Sequence, residues 1–156
     1  MQAGEVTAAE ATVFEHAYPG TAFSVRRVRA DLDLLVDGYP FTDDLILLAS
    51  ELATNAILHS RSGHPGRTFT VRATLYPGDY AWVEVEDQGG TWAEGEHHDE
   101  RGRGLRIVSA IAGDGNWGVD GDERRRAVWF RLDWPDTGEP AIADRPADAV
   151  GTQSEP

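Results

Sequence analysis

The chain has 156 residues, a formal net charge of −13, 40% hydrophobic residues and no cysteine. Its length is enough for one globular domain that buries roughly 70% of its unfolded surface. The missing cysteine excludes disulfides, thiolate catalysis and cysteine-ligated zinc, and the acidic charge disfavours binding to the phosphate backbone of nucleic acids. All 14 basic residues are arginines, which also excludes Schiff-base lysine chemistry and the lysine-dependent phosphate loop of P-loop NTPases.

No apolar run approaches the roughly 18 residues that a membrane span requires, and the first residues lack the basic-then-apolar pattern of a secretory signal. We therefore expect a cytoplasmic protein with no membrane partner. Residues 1–135 are expected to form the domain. Residues 136–156 are expected to form a disordered tail, because they are acidic, contain prolines and carry few large apolar side chains.

The first half of the chain predicts a strand and two helices. Residues 12–18 are a candidate strand, and apolar residues recur at helical spacing over 21–36. Glycine and proline within 38–40 break that helix. A second helix is predicted to run from Thr42, expected as its N-cap, to near Ser60.

The second half predicts four strands and one helix. In chain order these are a hairpin with strands at 69–75 and 81–85, a glycine-rich loop at 88–103, a short helix at 105–112, and closing strands at 117–119 and 127–132. The order β-α-α-β-β-loop-α-β-β segregates the helices from a largely antiparallel sheet. We therefore predict an α+β fold, a two-layer α/β sandwich with the helices on one face of the sheet.

Three polar residues stack along one flank of the predicted second helix. Glu51, Asn55 and His59 are four residues apart, and such residues share a helical face. The amide oxygen of Asn55 is a suitable ligand for Mg²⁺, and a carboxylate one turn earlier can act as a general base. The alternative interpretation is a solvated polar flank.

The strand that ends at Asp87 carries a carboxylate on its expected core face. Strand alternation puts Asp87 on the same side as Val83 and Val85. A carboxylate there is costly unless it accepts hydrogen bonds, and the exocyclic amine of adenine is a suitable donor. Gly89 would let the base approach the backbone closely. The alternative is that Asp87 only begins a turn, because Asp-x-Gly is a common turn sequence.

A Gly-x-Gly pattern, Gly102 and Gly104, opens the predicted third helix after the polar loop. Free N–H groups at the start of a helix form an anion-binding site, and Arg101 and Arg103 add positive charge. A flexible linker into the helix is the alternative interpretation.

Taken in this order, the three motifs resemble those of the Bergerat-fold (GHKL) ATPases, the superfamily of gyrase B, MutL and the ATP domains of histidine kinases. The compact size and the run Ser-Glu-Leu-Ala-Thr-Asn-Ala at 50–56 are most similar to the RsbW-like anti-sigma-factor serine kinases and to small actinobacterial ATP-binding regulators. The resemblance covers about residues 23–132.

This resemblance implies a site for ATP and Mg²⁺ and transfer of the γ-phosphoryl group to a serine. Glu51 would be the catalytic base, Asn55 would ligate the metal, and Asp87 would receive the adenine amino group beside Gly89. Residues 88–103 would form a lid. The phosphates would be held by Gly102, Arg103, Gly104 and Leu105.

The implied partners are a sigma factor and an anti-anti-sigma protein of the STAS type, with no direct contact to nucleic acid. The acidic surface suits basic patches on such proteins. A non-catalytic ATP- or ADP-binding module that gates a protein partner is the alternative function. A homodimer is expected, and Trp82 and Trp129, on the strand face opposite the core, are candidates for its contact.

Some positions depart from the family pattern. Thr91 replaces the second glycine of Asp-x-Gly-x-Gly, with Gly90 beside it. Ala127 stands where a threonine often helps to hold the water beside adenine. The arginine run at 124–126 is interpreted as a solvated turn, with a partner contact as the alternative, and Trp92 in the lid has no place in the pattern.

The histidines offer one further alternative, a metal site. It would combine His59, His64, His97 and His98. The closest pair, His97 and His98, is adjacent, which does not match the spacing of helical zinc ligands. Solvated loop histidines are the expected interpretation.

Overall fold

The computed structural model describes residues 11–90 and 98–135, with the backbone alone for 98–103. Within these ranges the chain forms, in order, β1 (Thr12–Pro19), α1 (Ala22–Leu35), α2 (Thr42–His59), a 3₁₀ turn (Arg61–Gly63), β2 (Thr68–Tyr76), β3 (Tyr80–Asp87), α3 (His98–Ala112), β4 (Trp117–Gly121) and β5 (Arg126–Asp133). All the predicted strands and helices are present, and the α+β two-layer sandwich is confirmed.

The strands form one sheet in the order β1-β2-β3-β5-β4, and every neighbouring pair is antiparallel. Buried and half-buried side chains alternate along β2, β3 and β5. In the central register Val83 lies between Ala73 and Phe130, all three fully buried. If the strand pairing slipped by one residue, this apolar row would face away from the core. The alternation of buried and half-buried side chains therefore sets the register of the strands.

Helix α2 is the central element of the helical layer. It packs against α1 and α3 and against β2 and β3. The side chains that it buries are Leu45, Ile46, Leu48, Ala49, Ser50, Leu52, Ala53 and Ala56. Because α2 has neighbours on several sides, the position of its polar flank is fixed by the core.

The structure corrects the expected role of Thr42. Phe41 is the N-cap of α2, and Thr42 is the first helical residue. The Thr42 hydroxyl donates to the carbonyl oxygens of Val36, at 2.7 Å, and Tyr39, at 2.9 Å. It therefore satisfies carbonyls at the end of α1, which ties the two helices together, and does not cap the N–H groups of α2.

The start of α3 is also corrected. The sequence predicted a loop to residue 103, but α3 begins at His98, so Gly102 and Gly104 lie inside the helix. Each glycine costs about 1 kcal/mol relative to alanine in a helix interior, which is why the sequence pattern favoured a loop.

The rest of the predicted lid, residues 91–97, lies outside the described residues, as do 1–10 and the predicted tail at 136–156. The domain boundary after residue 135 therefore stays a prediction. Among the helices in the described ranges, none is both long and apolar enough to cross a membrane.

The face of the sheet opposite the helices is polar and aromatic. Trp82 and Trp129 lie half-buried on this face, as predicted. Arg72 bridges Glu84 and Glu86 of β3 with Nη1–oxygen distances of 2.7 and 2.6 Å. No helix covers this side within the described residues.

We expect Leu48→Ala to lower the free energy of unfolding by about 2–5 kcal/mol, because it removes a fully buried side chain from α2. The matched control is Leu58→Ala on the same helix, where the side chain is 55% exposed and the change should stay within about 0.5 kcal/mol. Chemical denaturation of both variants tests this burial pattern. Equal losses would contradict it.

Candidate nucleotide-binding site

The structure brings together three of the predicted site residues, from two helices. A Cβ atom placed on Gly104 of α3 would lie 3.1 Å from Nδ2 of Asn55 and 3.4 Å from Oε1 of Glu51. Glu51 and Asn55 are both half-buried on α2, and Gly104 is buried. The polar flank of α2 is therefore covered by the backbone of α3 and is not simply solvated.

This contact accounts for a glycine in the middle of a helix. A side chain at position 104 would crowd the Asn55 amide, so only glycine leaves both polar groups undisturbed. Leu105, the next residue, packs at the edge of the hydrophobic core and holds α3 in place. The phosphate role of this segment stays a prediction. The N–H groups that a helix leaves free lie in its first turn, which in α3 begins at His98, upstream of both glycines, and Gly104 provides a close approach to Asn55.

Asp87 is buried at the end of β3, with 6% of its surface exposed. Its Oδ1 accepts a hydrogen bond of 2.7 Å from the Gly89 N–H, so the turn that was the alternative interpretation is present. Burial raises the pKa of the Asp87 carboxyl above its ordinary value, while the Gly89 hydrogen bond and the charge of Arg126 act in the opposite direction. Within the described residues the hydrogen bonds of Asp87 involve Oδ1 alone. Asp87 thus forms a hydrogen-bonded turn with Gly89 and at the same time carries a carboxyl group that is shielded from water.

The glycines after Asp87 are held by backbone contacts on both sides. The Gly90 N–H donates to the Glu123 carbonyl at 2.8 Å, and the Arg61 N–H donates to the Gly89 carbonyl at 2.8 Å. Gly89 has a φ of +73°, and a Cβ atom on it would lie 2.0 Å from the Glu123 oxygen. The close approach that Gly89 permits is therefore made by the β4–β5 turn. Contact of Gly89 with a base stays a prediction.

Arg126 is a site residue that the sequence analysis missed. It pairs with Asp87 in the β3–β5 register, it is 7% exposed, and its Nη2 donates to the Gly90 carbonyl at 2.9 Å. Ala127 pairs with Glu86 and faces the opposite side of the sheet. The cross-strand neighbour of Asp87 is therefore Arg126, and the expectation for Ala127 was one residue out of phase. Strand parity with Val128 and Phe130 would have revealed this.

The histidines do not form a described metal centre. His59 is half-buried at the end of α2, and His64 is exposed in the following loop. In the ranges 11–90 and 98–135 no group of three or more His, Cys, Asp or Glu side chains could hold a metal ion. His97 and the side chain of His98 lie outside the described residues.

Comparison with known families agrees with this fold. Residues 40–132, more than half of the chain, match the model of the histidine kinase-like ATPase domain. The chain belongs to the histidine kinase-like ATPase family. No curated protein matched the chain. Family membership makes this an ATP-binding module of the regulatory, kinase-like type, and Mg²⁺ usually accompanies ATP in such domains.

The side chains of the site are suitable for binding both ATP and Mg²⁺. The Asn55 amide supplies an oxygen of the kind that Mg²⁺ prefers, and the Glu51 carboxylate lies beside it. Glycine at position 104 keeps the space next to them free of a side chain. Asp87 offers a buried acceptor for an amine donor.

We expect Gly104→Ala to weaken ATP binding about tenfold while leaving the fold at least as stable. Alanine is favoured over glycine in a helix interior by about 1 kcal/mol, but its methyl group would displace the Asn55 amide. Titration calorimetry with Mg-ATP and thermal unfolding measure the two effects. Ser109→Ala, on the same helix, is the control and should change neither. Unchanged ATP affinity in Gly104→Ala would refute the proposed importance of this contact.

We expect Asp87→Asn to raise thermal stability at neutral pH and to weaken ATP binding by tenfold or more. The raised pKa means that the folded state binds the proton more tightly than the unfolded state, so ionised Asp87 costs stability. That cost is absent below the ordinary value of 3.8 and develops as the pH rises through the raised pKa. Loss of a hydrogen bond to a charged group is worth about 1.5–3 kcal/mol, which corresponds to the predicted loss of affinity.

Unfolding curves at several pH values test the stability effect. The difference between Asp87→Asn and the natural chain should shrink as the pH falls through the raised pKa of Asp87, since the buried carboxyl is then protonated and neutral. A variant that is less stable than the natural chain at neutral pH would contradict the burial cost.

Proposed function

We propose that this protein is a Mg-ATP-dependent serine kinase and anti-sigma factor that phosphorylates an anti-anti-sigma partner of the STAS type. One observation carries the proposal. The backbone of α3 at Gly104 lies directly against Glu51 and Asn55, so the two side chains that would serve as general base and metal ligand face this helix together.

Glu51 would accept the proton of the partner's serine hydroxyl as its oxygen attacks the γ-phosphorus of ATP. A new bond forms between the serine oxygen and phosphorus, the bond from the γ-phosphorus to the bridging oxygen breaks, and ADP leaves. Asn55 would hold the Mg²⁺, which supplies charge neutralisation for the phosphates when bound. Phosphoryl transfer depends mainly on positioning and electrostatics, so a small set of groups is sufficient.

Recognition of the base would fall to Asp87, whose buried carboxylate accepts the adenine amine. Arg126 would hold the Asp87–Gly90 turn in place through its bond to the Gly90 carbonyl. The first turn of α3, with Gly102, Arg103, Gly104 and Leu105 following, would hold the phosphates.

The acidic surface supports a protein partner, since a net charge of −13 repels nucleic acid and attracts basic patches. A second copy of the chain is proposed as a further partner. The half-buried Trp82 and Trp129 on the uncovered sheet face support this, since they present apolar area that a dimer contact would bury.

The kinase and the non-catalytic module make different predictions for Glu51→Gln. We expect this variant to bind Mg-ATP within about threefold of the natural chain and to lose serine phosphorylation by 100-fold or more, because general base catalysis contributes about 10²–10⁴-fold. Asn55→Ala should lose both properties. Purified protein, Mg-ATP and a panel of STAS-type proteins, assayed for phosphoserine, provide the measurement.

If Glu51→Gln keeps all regulatory effect on the partner and the natural chain forms no phosphoserine, the serine kinase is refuted. The protein is then an ATP- or ADP-dependent gate for its partner. If neither the natural chain nor any of the variants binds ATP, the serine kinase and the ATP- or ADP-dependent gate are both refuted.

A further inference from the structure

A cavity of about 270 Å³ lies where β2 begins and β3 ends, mainly on the sheet face away from the helices. Four arginines surround it, and we call it the arginine pocket: Arg61, Arg67, Arg124 and Arg125. The 3₁₀ turn and the loop after it supply the first two, and the β4–β5 turn supplies the other two. Four of the chain's 14 basic residues thus meet at one place on a protein of net charge −13.

These positive charges are only partly compensated inside the protein. The side chains of Arg67 and Arg124 form no ion pair or hydrogen bond with any residue in the described ranges. Among the described residues, the Arg61 guanidinium reaches only carbonyl oxygens, those of Glu123 at 3.3 Å and Gln88 at 3.5 Å.

The acidic groups of the wall are already engaged. Glu86 pairs with Arg125 through one oxygen, at 2.5 Å, and with Arg72 through the other, at 2.6 Å. Asp87 is buried, accepts the Gly89 N–H and lies across the strands from Arg126. The pocket therefore presents a surplus of positive charge to solvent.

The wall is also preorganised. The side chain of Asp122 accepts hydrogen bonds from the N–H groups of Arg124, at 2.8 Å, and Arg125, at 3.2 Å, and these bonds lower its pKa. On the other side, the Gln88 N–H donates to the Ser62 hydroxyl at 2.9 Å. Both arginine-bearing turns are thus fixed by local hydrogen bonds, so a ligand would not have to order them.

The chemistry of the wall points to a phosphoryl group. Several guanidinium groups and the side chains of Thr68 and Thr70 offer more donors than one planar carboxylate can accept, whereas a phosphate monoester has three terminal oxygens and close to two negative charges. All of the lining residues that the structure describes are polar or charged, so nothing there offers a nucleotide base an apolar surface. The four arginines are exposed and can be reached by a macromolecule.

We propose that the arginine pocket binds a phosphorylated side chain of a protein partner. Asp87 lines both this pocket and the proposed adenine site, but the four arginines have no part in the roles proposed for Glu51 and Asn55, so this binding can be tested apart from the kinase. Guanidinium groups hold phosphate monoesters through paired N–H donors, which gives both charge and geometric selectivity.

The test compares a fluorescent phosphoserine peptide of otherwise neutral sequence with its unphosphorylated twin, by anisotropy with the full chain. We expect the phosphopeptide to bind at least tenfold more tightly. The double variant Arg67→Gln, Arg124→Gln should lose at least tenfold of that affinity. The matched control, Arg26→Gln with Arg27→Gln, removes the same charge from exposed positions on α1 and should change it less than twofold.

Equal affinity for the two peptides, or an equal loss in both double variants, would overturn the proposal, because binding would then follow overall charge. Competition by inorganic phosphate at the same concentration as the phosphopeptide would also overturn it in favour of a small-ion site. Mg-ATP affinity, measured on the same samples, should be unchanged in the pocket variant. Its loss there would show that the pocket belongs to the nucleotide site.

Discussion

The close packing of α3 on α2 at Gly104 is the constraint on which the site depends. Helix α2 is fixed by the core, and its polar flank with Glu51 and Asn55 is covered only because position 104 carries no side chain. Glycine at this position costs α3 about 1 kcal/mol of helix stability relative to alanine. In return, the Glu51 carboxylate and the Asn55 amide are held half-buried beside the segment of α3 that would contact the phosphates. The close approach of the α3 backbone to α2 at position 104 thus bears on both the stability of the fold and the proposed binding of the ligand.

The opposite end of the site depends on a second compromise, the burial of Asp87. Its carboxylate is desolvated, yet the Gly89 N–H and the cross-strand Arg126 limit the cost. The same interactions fix the turn at Gly89 and Gly90, which the β4–β5 turn clamps from the other side. Because burial raises the pKa of Asp87, its ionised form costs stability, and the proposed contact with the adenine amine would account for a charge at this position.

Much of the fold could be predicted because apolar alternation in β2 and β3 and the apolar stripe of α2 are strong signals. The errors arose where tertiary contacts override local patterns. Glycines favoured a loop before α3, but the approach to Asn55 explains one of them inside a helix. Thr42 has the chemistry of an N-cap, but nearby carbonyls of α1 take its hydroxyl. Arg126 looked like part of a solvated run, and only the strand register shows that it faces Asp87.

The central claim is that buried Asp87 recognises the exocyclic amine of adenine. The most direct measurement is titration calorimetry of the natural chain with Mg-ATP and with Mg-ITP, in which a carbonyl oxygen replaces that amine and nothing else relevant to the phosphates changes. We expect ATP to bind at least tenfold more tightly, because inosine places an acceptor oxygen against the buried carboxylate where adenine places its amine donor. Equal affinities would contradict the role of Asp87 in base recognition.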